Sequence, residues 1–299
     1  MKRKAPSSVA HPGACCVEEL FAGTTPVARA FGEHLATHGY AHCVLSDKES
    51  LKIMERGTRA SESFFTARRE EEASKLSIDL PAAYSVARCS ESDRWRRTLT
   101  VQRSPSGKFS SGAGFGHAQM WPVLESASDA ILTQLQRTAF LPKGLLPSLC
   151  ASYSHPEACA SSDAVMPSLL RLMQYDSNAG CDVHVDRGLL TLIFGAAVEG
   201  VQVFDPMAKR YVYPCPQSAG SDHAATILVL AGATLERATC GLVRAVRHKA
   251  QAGSVDRIST VFSLRADPTA RFTMSSSLAH HPGVDPKLTA LTETSRRLR

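Results

Sequence analysis

The sequence predicts a mainly β fold with flanking helices, in which a largely helical first half leads into a compact all-β sandwich or barrel. Three observations carry this. Up to about residue 150 the apolar residues recur at three- and four-residue spacing, which gathers them on one side of a helix. From Ser168 the texture changes to seven short β-type runs separated by turns, a density that suits a sheet packed or closed upon itself. The chain has 299 residues, of which 43% are hydrophobic, so it can bury one large core and is too apolar for a disordered polymer.

The elements follow in order. The opening Met1-Lys2-Arg3-Lys4-Ala5-Pro6 is basic without the apolar stretch of a secretory signal, and residues 1–16 are expected to form a flexible tail. Residues 17–150 are expected to form a mainly helical support region with some α/β character. Val27, Phe31 and Leu35 mark a helix over Pro26–Thr37, and Leu51, Met54 and Phe64-Phe65 mark a second over Lys48–Ser77. Between them Gly39–Leu45 reads as a strand, and Ser46-Asp47 can cap the second helix. The glutamate-rich run Arg68–Lys75 is expected to be that helix's exposed end. Arg94-Trp95-Arg96-Arg97 reads as a solvated surface cluster. Residues 101–118 are rich in Ser and Gly, but Gly112-Ala113-Gly114-Phe115-Gly116 has neither dinucleotide nor P-loop spacing and reads as a flexible loop. A helix over Val123–Phe140 and a polar connection over Ser152–Met166 complete the first half.

The β domain is expected to span 151–268. Its runs are Leu169–Tyr175, Leu189–Phe194, Val201–Phe204, Arg210–Tyr213, Thr226–Ala231, Val243–His248 and Arg257–Leu264, with Cys215–Ala224 a loop insertion and 269–299 a C-terminal extension. No window reaches the roughly 18 consecutive apolar residues of a spanning helix, so no membrane is expected as a partner. Nine cysteines, odd in number and without a Cys-x-x-Cys, fit reduced thiols and a cytoplasmic setting better than a disulfide framework. The net charge of +6 is spread along the chain and only 6% of residues are aromatic, which argues against a nucleic-acid footprint. A small molecule is the expected partner.

One segment carries chemistry: Cys181-Asp182-Val183-His184-Val185-Asp186-Arg187-Gly188, followed by an apolar run. Side chains two apart on a strand share a face, so His184 and Asp186 can offer imidazole and carboxylate to one metal. Alone this means little, because with 11 histidines in the chain a His-x-Asp arises by chance about half the time. Company lies downstream, where His248 sits near the end of one β-type run and Arg257 and Ser259 share a face of the next. Two histidines and a carboxylate on one side of an octahedral ion leave three positions open, the arrangement of non-heme Fe(II) oxygenases. A guanidinium fork with a nearby hydroxyl suits a dicarboxylate.

These residues, with Arg171–Tyr175, Glu199–Val203, Gly232–Gly241 and the order His184, Asp186, His248, Arg257, Ser259, resemble the isopenicillin N synthase-like family of 2-oxoglutarate- and Fe(II)-dependent dioxygenases over about residues 17 to 268. The resemblance implies a double-stranded β-helix, or jelly roll, supported by helices. It implies His184, Asp186 and His248 as catalytic metal ligands, Arg257 and Ser259 on the distal carboxylate of 2-oxoglutarate, and Tyr175 hydrogen-bonded to the co-substrate. The cofactors implied are Fe(II), 2-oxoglutarate and O2, with ascorbate a candidate reductant, and the reaction implied is oxidation, as by hydroxylation, of a small organic molecule with release of succinate and CO2. Met173 stands where many members carry Asn, and Arg187, where a small or acidic residue is common, could pair with Asp182 or face the pocket mouth. Phe262 could wall the pocket or pack in the core, and Tyr84, Trp95 and Phe115 fall on the family's substrate side. Two alternatives stay open: an Fe(II) oxidase of the same fold that does not use 2-oxoglutarate, and a non-catalytic metal-binding scaffold.

Overall fold

A computed structural model of the protein describes residues 15–74, 84–88, 94–103, 109, 115–139, 141, 145–150, 168–195, 200–214 and 225–267. Residues 1–14 of the expected tail, the polar connection 152–166, the 215–224 insertion, the 269–299 extension and residues 104–108 and 110–114 of the expected glycine-rich loop lie outside these residues. Two bounds are corrected: Cys15–Cys16, expected in the tail, is a strand paired with Cys43 and Val44, and residues 115–118, expected in the loop, are helical.

The first half supplies a short strand β1 (Cys15–Cys16), helices α1 (Val17–Ala22) and α2 (Pro26–His38), strand β2 (Tyr40–Val44), and the long helix α3 (Lys48–Ser74). Strands β3 (Tyr84–Arg88) and β4 (Trp95–Val101) and helices α4 (Phe115–Thr138) and α5 (Leu145–Leu149) follow. Helix α2 starts as its sequence directs: Pro26 takes the first position, and the Thr25 hydroxyl accepts from the Ala28 N–H at 3.1 Å. It stops at Gly39, whose φ of 80° is the left-handed conformation that glycine adopts without strain. Helix α4 begins at Phe115, eight residues before the expected start, and carries Pro122 inside it, the residue that masks its first turns in the sequence.

The second half is built from β5 (Leu169–Tyr175), β6 (Cys181–His184), β7 (Leu190–Phe194), β8 (Val201–Asp205), β9 (Arg210–Val212), β10 (Thr226–Ala231), helix α6 (Ala233–Ala238), β11 (His248–Ala250) and β12 (Arg257–Leu264). An eight-stranded sheet runs in the order β1-β2-β10-β7-β12-β5-β4-β3 and a four-stranded sheet in the order β6-β11-β8-β9. This is a jelly roll with flanking helices. Two expectations are corrected here. The run Val243–His248 is not a strand: pairing begins only at His248, the first residue of β11. Arg94–Arg97 is not simply solvated surface, because Arg97 is buried and pairs with Asp176 at 2.8 Å.

Period-two alternation sorts the large sheet into two faces. Leu170, Leu172, Leu190, Leu192, Phe262 and Leu264 join the core shared with the helices. Trp121 of α4 presses on Phe262 there, ring centroids 5.1 Å apart, so Phe262 is core rather than pocket wall. The other face, with Ile193, Leu228, Leu230 and Val261, meets Val201, Val203 and Val212 of the small sheet in a second apolar cluster. Residues two apart from that second set along each strand therefore look into the space between the sheets.

The two sheets are also joined by one buried carboxylate. Asp205 at the end of β8 accepts from the Tyr40 hydroxyl at 2.9 Å, from His38 Nδ1 at 3.2 Å, and from the backbone N–H groups of Met207 and Ala208 at 2.8 and 2.9 Å. Burial opposes its ionisation, but the Ala208 N–H, the Tyr40 hydroxyl, the Met207 N–H and the charge of His38 outweigh it and hold the carboxyl below its ordinary value. A depressed native pKa stabilises the fold above the unfolded value of about 4 and loses that contribution as pH falls through the native value. Asp205→Asn is expected to cost about 3 kcal/mol in urea unfolding at pH 7, with the gap to the parent closing in acid. Equal stabilities at pH 7 would overturn this assignment.

Candidate functional site

Strand β6 is pinned beside β11 with His184 directly opposite His248, and β11 in turn pairs with β8, His248 opposite Val203. That register puts the two imidazoles next to each other across adjacent strands, ring centroids 4.2 Å apart and planes tilted by 55°. Asp186 does not share the strand with His184, as the two-residue spacing had suggested, since β6 ends at His184 and Asp186 lies in the loop that follows. The loop returns its carboxylate to the histidines. Asp186 Oδ1 is 3.7 Å from His184 Nε2 and Oδ2 is 3.6 Å from His248 Nε2.

The loop is held by backbone contacts that the sequence motif alone does not reveal. The Ala233 N–H donates to the Asp186 carbonyl at 2.8 Å, the Thr234 N–H to the Gly188 carbonyl at 3.1 Å, and the Thr234 hydroxyl to the Arg187 carbonyl. The start of α6 thus grips the loop. A Cβ on Gly232 would stand 2.2 Å from the Gly188 oxygen, and one on Gly188 would stand 2.5 Å from the Leu264 oxygen, so both positions demand glycine. The Thr191 hydroxyl of β7 donates to Asp186 Oδ2 at 2.5 Å and fixes the carboxylate itself. The Gly-Ala-Thr that opens α6 is the sequence signal for this clasp.

Both histidines present the same nitrogen to the carboxylate. His184 Nδ1 lies 2.7 Å from the Asp182 carbonyl and His248 Nδ1 lies 3.3 Å from that of Val246, so in each ring Nδ1–H donates to the backbone and Nε2 is left as the lone-pair donor. His248 is buried, and burial, with the positive field of His184, keeps it below the ordinary imidazole value against the pull of Asp186. His184 is half-exposed and its pKa is raised to about 9, chiefly by the Cys181 thiol 3.9 Å from Nδ1, with burial opposing and the Asp182 carbonyl assisting. A metal bound there must displace that proton. The three side chains bring one ligand atom each within 4.8 Å of one another, a donor set of two imidazoles and a carboxylate that can hold a divalent ion.

The other expected residues lie on the inner face of the large sheet. Arg257 on β12 stands opposite Tyr175 on β5, and Ser259 stands opposite Met173. The Arg257 guanidinium lies over the Tyr175 ring, 4.6 Å from its centroid. Gly200 and Gly253 make room for it, since a Cβ on either would approach the guanidinium to 3.3 or 3.1 Å. Tyr175 is buried, and burial followed by the Cys181 charge pushes its hydroxyl up to about 12, leaving it a proton donor. Its hydroxyl points toward the Met173 sulfur at 3.7 Å. A cavity of about 1160 Å³ reaches Arg257 from the α3 side without touching the three clustered side chains.

The remaining candidates separate. The Arg187 side chain is exposed, while its backbone carbonyl belongs to the α6 clasp. Tyr84 packs edge-on against Phe64 in the core, Trp95 is exposed, and the Phe115 side chain lies outside the described residues. Among the described cysteines, Cys15, Cys16, Cys43, Cys150, Cys181 and Cys240 are free thiols. Among the described residues no helix is long and apolar enough to cross a membrane.

Residues 166–266 match the family model described as the 2OG-Fe(II) oxygenase superfamily. No curated protein matches the chain. Similar solved structures include a 2OG-Fe(II) oxygenase family protein from Caulobacter crescentus, 15% identical with a TM-score of 0.64 over 91% of this chain and 94% of that one. Another is a full-length Neurospora crassa protein in complex with alpha-KG, 16% identical with a TM-score of 0.63 over 97% and 99%. A third is the Arabidopsis thaliana dioxygenase for auxin oxidation 1 as its 2-oxoglutarate complex, 14% identical with a TM-score of 0.62 over 87% and 95%. At these identities the likeness is one of fold.

Proposed function

We propose, from the match of residues 166–266 to the model of the 2OG-Fe(II) oxygenase superfamily, that His184, Asp186 and His248 hold the Fe(II) of an oxygenase that oxidises, by hydroxylation, a small organic substrate. The observation that carries this is the convergence of two Nε2 atoms and one carboxylate, each Nδ1 turned away to a backbone carbonyl. That donor set fits Fe(II): it is neutral nitrogen and anionic oxygen, without thiolate, and it occupies one side of the ion. Bound there, iron and 2-oxoglutarate together supply the oxidising chemistry that couples O2 to formation of succinate and CO2 and to oxidation of a substrate C–H bond.

The chain's own part is to bind and orient. Arg257 takes the distal carboxylate of 2-oxoglutarate through parallel N–H donors, Ser259 adds a hydroxyl donor from the same face, and Tyr175 donates from beside them. The cradle of Gly200, Gly253 and the Tyr175 ring sets the guanidinium's plane, which fixes the direction of the fork. Val203, Ile193 and Val261 wall the space between the sheets and keep water from it. Thr191 and the α6 clasp hold the Asp186 carboxylate where both histidines can share its ion. Neighbours of the same fold have been solved with 2-oxoglutarate, and one with 5-formyluracil, which supports a small-molecule substrate. The test is consumption of 2-oxoglutarate under air by the Fe(II)-loaded protein. Succinate should appear in equimolar amount, and iron-loaded protein that leaves 2-oxoglutarate intact would overturn the proposal.

A further inference from the structure

The inner face of the large sheet carries more positive charge than the iron and co-substrate need. On this face three strands lie in register: Arg96 beside Tyr175 beside Arg257, then Thr98 beside Met173 beside Ser259, then Thr100 beside Arg171 beside Val261. Met173 and Val261 belong to the apolar cluster between the sheets, so Arg171, two residues from Met173, points into the same space. One strand further, Val261 pairs with Ile193 and Ser263 with Thr191, whose hydroxyl holds Asp186. Arg171 is therefore diagonal to the carboxylate of the metal group. Tyr175 and Arg257 lie four residues along, about 13 Å away at strand spacing, too far for one carboxylate to lie against both backbone positions.

Arg171 is a half-buried cation that makes no hydrogen bond or ion pair among the described residues. Burial, then the like charge of Arg265, holds its guanidinium below the ordinary value; Asp186 opposes this, and Arg96 adds like charge. Arg96 is itself fixed by its contact with the Cys181 sulfur at 3.2 Å, and its Nε is buried without a hydrogen-bond partner. The two charges of Fe(II), the Asp186 carboxylate, the two carboxylates of 2-oxoglutarate and Arg257 cancel, so Arg171 remains uncompensated. A half-buried guanidinium facing other arginines carries a cost that a bound anion would offset.

Resting on the proposed oxygenase site, we infer that the primary substrate is a small organic acid whose carboxylate docks on Arg171, on the side of the metal group away from Arg257 and Arg96. The carboxylate anchors the molecule and the adjoining carbon skeleton lies toward the iron ligands. Arg171 is thus a specificity-determining residue.

The experiment uses the full chain loaded with Mn(II), which is inert to O2 here, and 2-oxoglutarate. Benzoate and phenylacetate are titrated by calorimetry against their neutral amides, benzamide and phenylacetamide. The acids should bind at least about tenfold more tightly than the amides. Arg171→Gln should erase that difference, while Arg171→Lys, which keeps the charge, should retain part of it. Affinity for 2-oxoglutarate should stay within about twofold in both variants, because Arg257 is untouched, and thermal unfolding reports that each variant is folded. Equal binding of acid and amide, no binding of either acid, a preference that survives Arg171→Gln, or acids that merely compete with 2-oxoglutarate would each overturn the inference. Failure of 2-oxoglutarate itself to bind would instead count against the oxygenase site, and the acid preference is then read on the metal-loaded protein.

Discussion

Replacing Asp186 with alanine is expected to strip the protein of iron and turnover together while leaving both sheets folded. The carboxylate is one of three converging ligand groups and the only one that brings negative charge to a divalent ion. Its loss leaves two imidazoles, and the repulsion between them when both are protonated no longer has a counterweight. The fall in metal affinity should exceed the roughly 10–100-fold that follows loss of a group merely supporting a ligand. Folding should survive, because the loop is held through backbone atoms: the Asp186 carbonyl still accepts from Ala233, and the Leu189 N–H still donates to Leu264 at 2.8 Å. Metal content after dialysis reports the first half of this expectation and far-UV circular dichroism the second. Unchanged metal content in the folded variant would sink the assignment of the three ligands.

The second large effect is expected at Arg257. Truncation to alanine removes a charged fork from a setting built around it by Tyr175, Gly200 and Gly253. Removing one partner of a buried, hydrogen-bonded charge pair costs about 2–5 kcal/mol, and each 1.4 kcal/mol is tenfold. The KM for 2-oxoglutarate should therefore rise by about two to three orders of magnitude, with iron affinity little altered since Arg257 touches none of the three ligand groups. Arg257→Lys should recover only a fraction, because an ammonium keeps the charge and loses the planar pair of donors. Steady-state succinate production over a range of 2-oxoglutarate concentrations measures both. A KM within a few-fold of the parent in the alanine variant would remove Arg257 from the co-substrate site.

Much of the β domain was legible because its strands are short apolar or alternating runs bounded by turn residues, and six of the seven expected runs coincide with strands. The metal-type motif was legible for another reason: His184, Asp186, His248, Arg257 and Ser259 are chemically distinct residues whose order survives whatever the local backbone does. What the local pattern misplaced was that backbone. Asp186 was read onto a strand with His184, yet β6 ends first, and the loop is shaped by α6 and by two glycines far apart in sequence. His248 was read as the end of a run and is the beginning of a strand, since pairing there is decided by β6 and β8 rather than by the apolar residues before it.

Strands β3 and β4 escaped notice for a physical reason as well. In Trp95–Val101 the alternation that marks a strand is present at Leu99 and Val101, but the position two before Leu99 is Arg97, buried against Asp176. A buried ion pair imitates a polar surface to any reading based on hydropathy. The same blindness hid Arg171 and Arg96, which are ordinary surface residues by composition and inner-face residues by register. The helix α4 was read too short because a proline stands in its third turn, where tertiary packing of Met120, Trp121 and Leu124 overrides the local cost.

The measurement that bears most directly on the account is anaerobic titration of the Fe(II)-loaded protein with 2-oxoglutarate, followed by visible absorption. Chelation of iron by the keto oxygen and near carboxylate produces a metal-to-ligand charge-transfer band, and the account predicts one that saturates at a single equivalent per chain and is lost in Asp186→Ala. Iron that binds without the band would contradict it and point to an oxidase that works without the co-acid. A chain that binds no iron at all would be a scaffold of the same fold.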